Sequence, residues 1–150
     1  MTTRFATLVD VPDLAELLLQ FAAEARVGFR SASSQDHNRL SRMLAHWIHD
    51  HYVRVALDDK KIVGVLIAER GQDFWDPNRK VLQERAWYVL PEYRGTRFSA
   101  RLWQAWQQDS SDYVKRDLVD MVIMSTQGPT TKFDPGRKGW RLIEQTWVKE

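Results

Sequence analysis

At 150 residues the chain has the commonest size of a single domain, and 43% hydrophobic with 28% charged residues is a globular balance, neither disordered nor membrane-spanning. The absence of cysteine excludes disulfides, thiolate metal sites and cysteine nucleophiles, and a net charge of +2 scattered among acids does not favour a nucleic-acid surface. No apolar leader opens the sequence and no apolar run approaches the ~20 residues that span a bilayer, so a cytoplasmic protein with no membrane partner is expected.

Arg4 to Val9 is short and partly alternating and predicts a strand. Asp10 is a suitable helix cap, Pro12 falls in the first turn, and Leu14, Leu17, Leu18 and Phe21 keep helical spacing. Periodicity fails from Arg26 to Ser34, a loop, and returns with Leu40, Met43, Leu44, Trp47 and Ile48 on one face of a second helix. Tyr52 to Leu57 and Ile62 to Ala68 are rich in β-branched residues and flank the polar turn Asp58 to Lys61, an antiparallel pair. Gly71 to Lys80 reads as a loop exposing Phe74 and Trp75, before a strand from Val81 to Leu90 that stops at Pro91. Phe98, Leu102, Trp103 and Trp106 then predict a helix to about Gln108 or into the break at 109–111. Leu118 to Met124 is nearly all apolar and suits a strand covered on both faces. A short helix between Thr130 and Lys138 and a closing strand from Trp140 to Lys149 complete the chain as one domain, 1–150. Of seven tryptophans most are expected in the core and some at a ligand surface.

His46, His49 and Asp50 stand at i, i+3 and i+4, a spacing that can gather metal ligands. With no third strong ligand in view and Trp47-Ile48 between them, the reading is a solvated helix face and no metal.

The stretch from Tyr88 to Arg97, Tyr-Val-Leu-Pro-Glu-Tyr-Arg-Gly-Thr-Arg, resembles the strand-to-helix signature of the GNAT superfamily of N-acetyltransferases. Arg4 to Thr7 followed by Asp10 resembles the family's opening, and Lys138-Gly139-Trp140 its Gly-aromatic pair before the last strand. The element order is similar throughout. The resemblance implies an α/β (α+β) fold, a mixed, mostly antiparallel twisted sheet flanked by helices, and an acetyl group moved from acetyl-CoA to a primary amine by direct attack through a tetrahedral intermediate. The acceptor is a small molecule or a protein lysine, and a homodimer is common in such proteins.

A helix start offers unpaired N–H groups and partial positive charge, which suits a diphosphate. The resemblance therefore implies CoA binding by Arg94, Gly95, Thr96, Arg97, Phe98 and Ser99, with the backbone of Tyr88, Val89 and Leu90 along the pantetheine arm and an N–H there facing the thioester carbonyl. Arg97 and Ser99 stand where the family usually has small residues, and Pro135 stands where many members carry the tyrosine that protonates the departing thiolate. Ser125 or Tyr93 is then the candidate acid, or the thiolate leaves unassisted. Glu84 is the candidate base, needed because an amine of pKa near 10.4 is neutral in only about one molecule per thousand at pH 7. Simple alternation puts Glu84 on the face of Ala86 and Tyr88, opposite Trp87 and Val89. An edge carboxylate paired with Arg85 is the other reading of Glu84. The acceptor site is implied at Phe29 to Gln35 and Gln72 to Trp75. A GNAT-fold binding or structural protein without catalysis, of the kind found in bacteriophages, is the alternative function.

Overall fold

The computed structural model describes residues 2–25, 34–125 and 140–141. Strand β1 is Thr2–Phe5, helix α1 Val11–Ala25, helix α2 Ser34–Asp50, and strands β2, β3 and β4 are Tyr52–Asp58, Lys61–Gln72 and Lys80–Val89. Helix α3 is Arg97–Lys115 and strand β5 Met121–Ile123. The five strands form one sheet in sequence order, antiparallel except for β4 beside β5, which run parallel. Parallel neighbours need a crossover, and α3 supplies it. The mixed, mostly antiparallel sheet flanked by helices is the expected fold class. The short helix and the closing strand expected after Ser125 lie, Trp140 and Arg141 apart, outside the described residues.

Tyr88 meets Phe21 of α1, ring centroids 5.3 Å apart, whereas its neighbour Trp87 stacks on Trp103 of α3 at 5.6 Å. Successive strand residues point to opposite faces, so α1, with α2 packed against it, covers one face of the sheet and α3 the other. Leu14, Leu44, Val55, Val65, Leu66, Leu82, Leu102 and Trp106 are buried in the resulting layers. Phe74 and Trp75, at the tip of the β3–β4 loop, are exposed as expected.

Several boundaries differ from the sequence reading for local reasons. The first strand ends at Phe5 because Asp10 draws the chain into a turn: its carboxylate accepts from the Thr7 N–H at 2.7 Å and from both terminal nitrogens of Arg4 at 2.7 and 2.8 Å. Helix α3 passes through the expected break at 109–111. The Asp109 carboxylate there bonds Tyr52 Oη at 2.7 Å and Arg54 Nη1 at 2.6 Å on β2 instead of competing for its own backbone. Asp117, at φ 54°, ends the helix in a turn closed by Leu118 N donating to Tyr113 O, so β5 starts at Met121 and not at Leu118.

Candidate active site

The site is built on β4 beyond its pairing with β5. Its pairing with β5 covers Val81, Leu82 and Gln83, after which β4 continues to Val89 with no strand beside it on that side among the described residues. On the other side Leu90 N donates to Val63 O at 3.0 Å. Because backbone groups alternate along an antiparallel pair, Leu90 and Tyr88 direct their N–H and C=O groups to β3, and Val89 and Trp87 turn theirs to the open side. Of Tyr88, Val89 and Leu90, Val89 alone therefore has backbone to offer a ligand. Trp87 shares that orientation, which the sequence does not show because nothing distinguishes inward from outward amides before the register is known.

Glu84 sits at a β-bulge. Ala68 pairs with Glu84 and Ile67 with Ala86, leaving Arg85 as the extra residue. Ile67 and Ala68 point to opposite faces of the sheet, so Glu84 and Ala86 do as well. This corrects the alternation argument: Glu84 lies on the α3 face with Trp87 and Val89, opposite Ala86 and Tyr88. Arg85 turns away and pairs with Glu69 of β3, Nη2 to Oε2 2.6 Å. Glu84 is buried at 8% exposure, and among the described residues its Oε2 accepts from Ser125 N at 3.1 Å. Burial pushes its carboxyl up to about 6, opposed by the Ser125 amide and then by the charge of Arg85. The structure thus brings Glu84 and Ser125 together, through the serine's amide. Tyr93 donates its hydroxyl to Asp58 Oδ2 at 3.2 Å, at the β2–β3 turn.

Past Val89 the chain makes a single helical turn over Pro91–Tyr93, in which Arg94 N donates to Pro91 O at 3.2 Å. Gly95 then takes φ 68°, a conformation that glycine adopts without steric cost. Thr96 caps α3, its hydroxyl oxygen accepting from Phe98 N at 3.3 Å. Among the described residues no acceptor is found for the amides of Gly95, Thr96, Arg97 and Ser99. The Ser99 hydroxyl donates to Thr96 O, and the Phe98 ring is buried in the core. Arg97, the departure from the usual small residue, is exposed with its guanidinium over the Phe98 ring at 5.6 Å, so it does not fill the loop. The Arg94 side chain turns back toward α1 and bonds Glu24.

Elsewhere, His46 and His49 each place Nδ1 on a different oxygen of Asp50, at 2.6 and 2.7 Å, on the exposed end of α2. Among the described residues no group of three potential ligands converges on a metal position, and no helix is long and apolar enough to cross a membrane.

A strand edge with outward amides, a buried carboxylate beside it and a helix start whose N–H groups have no acceptor among the described residues can together hold a long ligand with a diphosphate at one end. Comparison with known proteins bears on the family and the fold. A family model described as Acetyltransferase (GNAT) family matches residues 15–115. No curated protein matches the sequence. Among solved structures, a predicted acetyltransferase with acetyl-CoA from Clostridium acetobutylicum is similar with a TM-score of 0.72 at 10% identity, over 99% of this chain and 94% of that one. A possible acetyltransferase from Clostridium difficile 630 gives 0.70 at 14% identity over 99% and 96%. A ribosomal-protein-alanine N-acetyltransferase from Brucella melitensis biovar Abortus 2308 gives 0.63 at 16% identity over 99% and 97%. At such identities the structural likeness speaks for the fold, and the family model, which spans more than half of the residues, for the lineage: the chain belongs to the GNAT family of acetyltransferases.

Proposed function

We propose that the protein moves an acetyl group from acetyl-CoA to a primary amine, of a small molecule or a protein lysine. The observation that carries this reading is the length of β4 beyond β5, running from a buried carboxylate to a helix start whose first amides have no acceptor among the described residues. Gly95, Thr96, Arg97 and Ser99 are the residues that would hold the diphosphate, by backbone N–H groups and the partial positive charge of α3. Val89 and Trp87 would line the pantetheine arm. Acetyl-CoA supplies an acyl group activated as a thioester.

Glu84 would act as general base. With its carboxyl at about 6 it is ionised at neutral pH, yet it is more basic than an ordinary carboxylate and better suited to take a proton from an ammonium group, directly or through water. The Ser125 amide orients the carboxylate, and an outward N–H of β4 would donate to the carbonyl oxygen as charge develops there. Pro135 stands where many members of the family carry the tyrosine acid, so Ser125 or Tyr93 would protonate the departing thiolate, or it would leave unassisted, a pKa of about 8.5 making it a tolerable leaving group.

Release of free thiol from acetyl-CoA, measured with a panel of primary amines between pH 5 and 9, tests the proposal. The expected outcome is amine-dependent release that declines below pH ~6 as Glu84 takes a proton, with Glu84→Gln lowering kcat by about 10²- to 10³-fold and removing the acidic limb. Binding of CoA without thiol release from any amine would support the alternative of a GNAT-fold binding protein.

A further inference from the structure

Arg94 stands in the loop that faces the diphosphate in the reading above, but its side chain is committed to the protein. Nε donates to Val89 O at 2.8 Å, and Nη1 and Nη2 donate to Oε1 and Oε2 of Glu24 at 2.5 and 2.6 Å. The guanidinium carbon lies 5.2 Å from the Tyr88 ring centroid, and Tyr88 Oη donates to Glu24 Oε2 at 3.1 Å. Glu24 is held below the usual carboxylate range, first by its hydrogen bonds from Arg94, and Arg94 is raised by the same contact. Both side chains are nearly half exposed, at 42% and 45%, and ion pairs in that setting contribute little to stability. Their consequence is geometric. The Val89 carbonyl is the acceptor that this residue turns to the open side of β4, and Arg94 occupies it. What Val89 then presents to a ligand is its N–H.

We propose that Glu24 is a positioning residue for the pantetheine arm: it holds Arg94 on the Val89 carbonyl, so that Val89 offers the arm's amide carbonyl its N–H while its own acceptor is engaged. The inference rests on the acetyl-CoA reading. It assigns to Glu24, in the last turn of α1, a role that acts through another residue, and it takes the Arg94 guanidinium away from the phosphates. The fork-to-fork geometry is specific to arginine, because lysine has a cation but neither the planar fork nor Nε.

The test is calorimetry with two ligands, CoA and its nucleotide fragment, ADP phosphorylated on the ribose, which has the phosphates and no arm. Glu24→Gln and Arg94→Lys are each expected to weaken CoA about tenfold, the worth of one aligned hydrogen bond, and to leave the fragment within about twofold. Because Glu24 acts through Arg94, the double variant is expected to be no weaker than Arg94→Lys alone. If Glu24→Gln fails to fold, Arg94→Lys with the same two ligands carries the test. Equal weakening of CoA and fragment in Arg94→Gln, with Arg94→Lys restoring both, would make Arg94 a phosphate ligand and overturn the proposal. So would CoA affinity that neither variant alters. Wild-type protein that binds neither ligand would remove the acetyl-CoA reading itself, and the clasp with it.

Discussion

Glu84 and Asp10 are both buried carboxylates, and their environments push them in opposite directions. Glu84 is desolvated with one backbone donor among the described residues, and its folded pKa of about 6 exceeds the ordinary 4.5, so between those values the folded chain binds the extra proton and stability falls as pH rises. Above that interval Glu84→Gln is expected to raise stability by about 2 kcal/mol while removing activity, measured by urea unfolding at pH 5 and pH 8; equal effects at both pH values would contradict the buried-charge account. Asp10 is held down to about 2, first by its hydrogen bonds from Arg4, against the cost of burial. That stability is present above pH ~4 and lost as pH falls toward 2, so Asp10→Asn is expected to cost about 2 kcal/mol at neutral pH and to flatten the acid side of the stability curve. Both positions stand out in the sequence, Asp10 as a candidate cap and Glu84 as a candidate base, but their partners do not: the Asp10 carboxylate reaches back to Thr7 and Arg4, and Glu84 meets Ser125, 41 residues on, through the parallel pairing of β4 with β5.

The elements were legible where hydrophobic period decides them and illegible where a tertiary contact overrides it. The bulge at Arg85 shows the limit most clearly: a period of two carries Glu84 to the wrong face, and nothing in the residues 84–86 announces the extra position. Helix α3 likewise runs past 109–111 because Asp109 is tied to Tyr52 and Arg54. With the Arg54 and Asp109 side chains only 16% and 17% exposed, Asp109→Ala is expected to cost about 3 kcal/mol and to unfold with a lower melting temperature at unchanged cofactor affinity. Gly64 pairs with Val89, and a Cβ there would meet Val89 Cγ2 at 3.1 Å and the Tyr88 carbonyl oxygen at 3.2 Å. Gly64→Ala is therefore expected to cost about 1–3 kcal/mol and also to weaken CoA by shifting the Val89 edge, whereas Gly95→Ala, with open space but φ 68°, is expected to cost about 1 kcal/mol through strain alone. Denaturant titration and calorimetry on the two variants distinguish packing from backbone strain.

At the scale of the molecule, the order strand, two helices, three strands, helix, strand follows from the residues alone because each element carries its own period and the turns carry their own chemistry. The turn into α3 was legible for the same reason, since Gly95 and the Thr96 cap are local features. The acceptor is different. Its implied loops, Phe29 to Gln35 and Gln72 to Trp75, contain no group whose chemistry selects one amine, and residues 26–33 lie outside the described residues. The central claim is that the backbone from Trp87 through Ser99 holds CoA, with α3 meeting the phosphates and the open β4 edge meeting the arm. The most direct measurement is the amide spectrum of isotopically labelled protein titrated with CoA. The account predicts shifts concentrated at Trp87, Val89, Gly95, Thr96, Arg97 and Ser99, with Tyr88 and Leu90, paired to β3, moving less. An unchanged spectrum at saturating CoA, or changes confined to α2 and the β3–β4 loop, would contradict it.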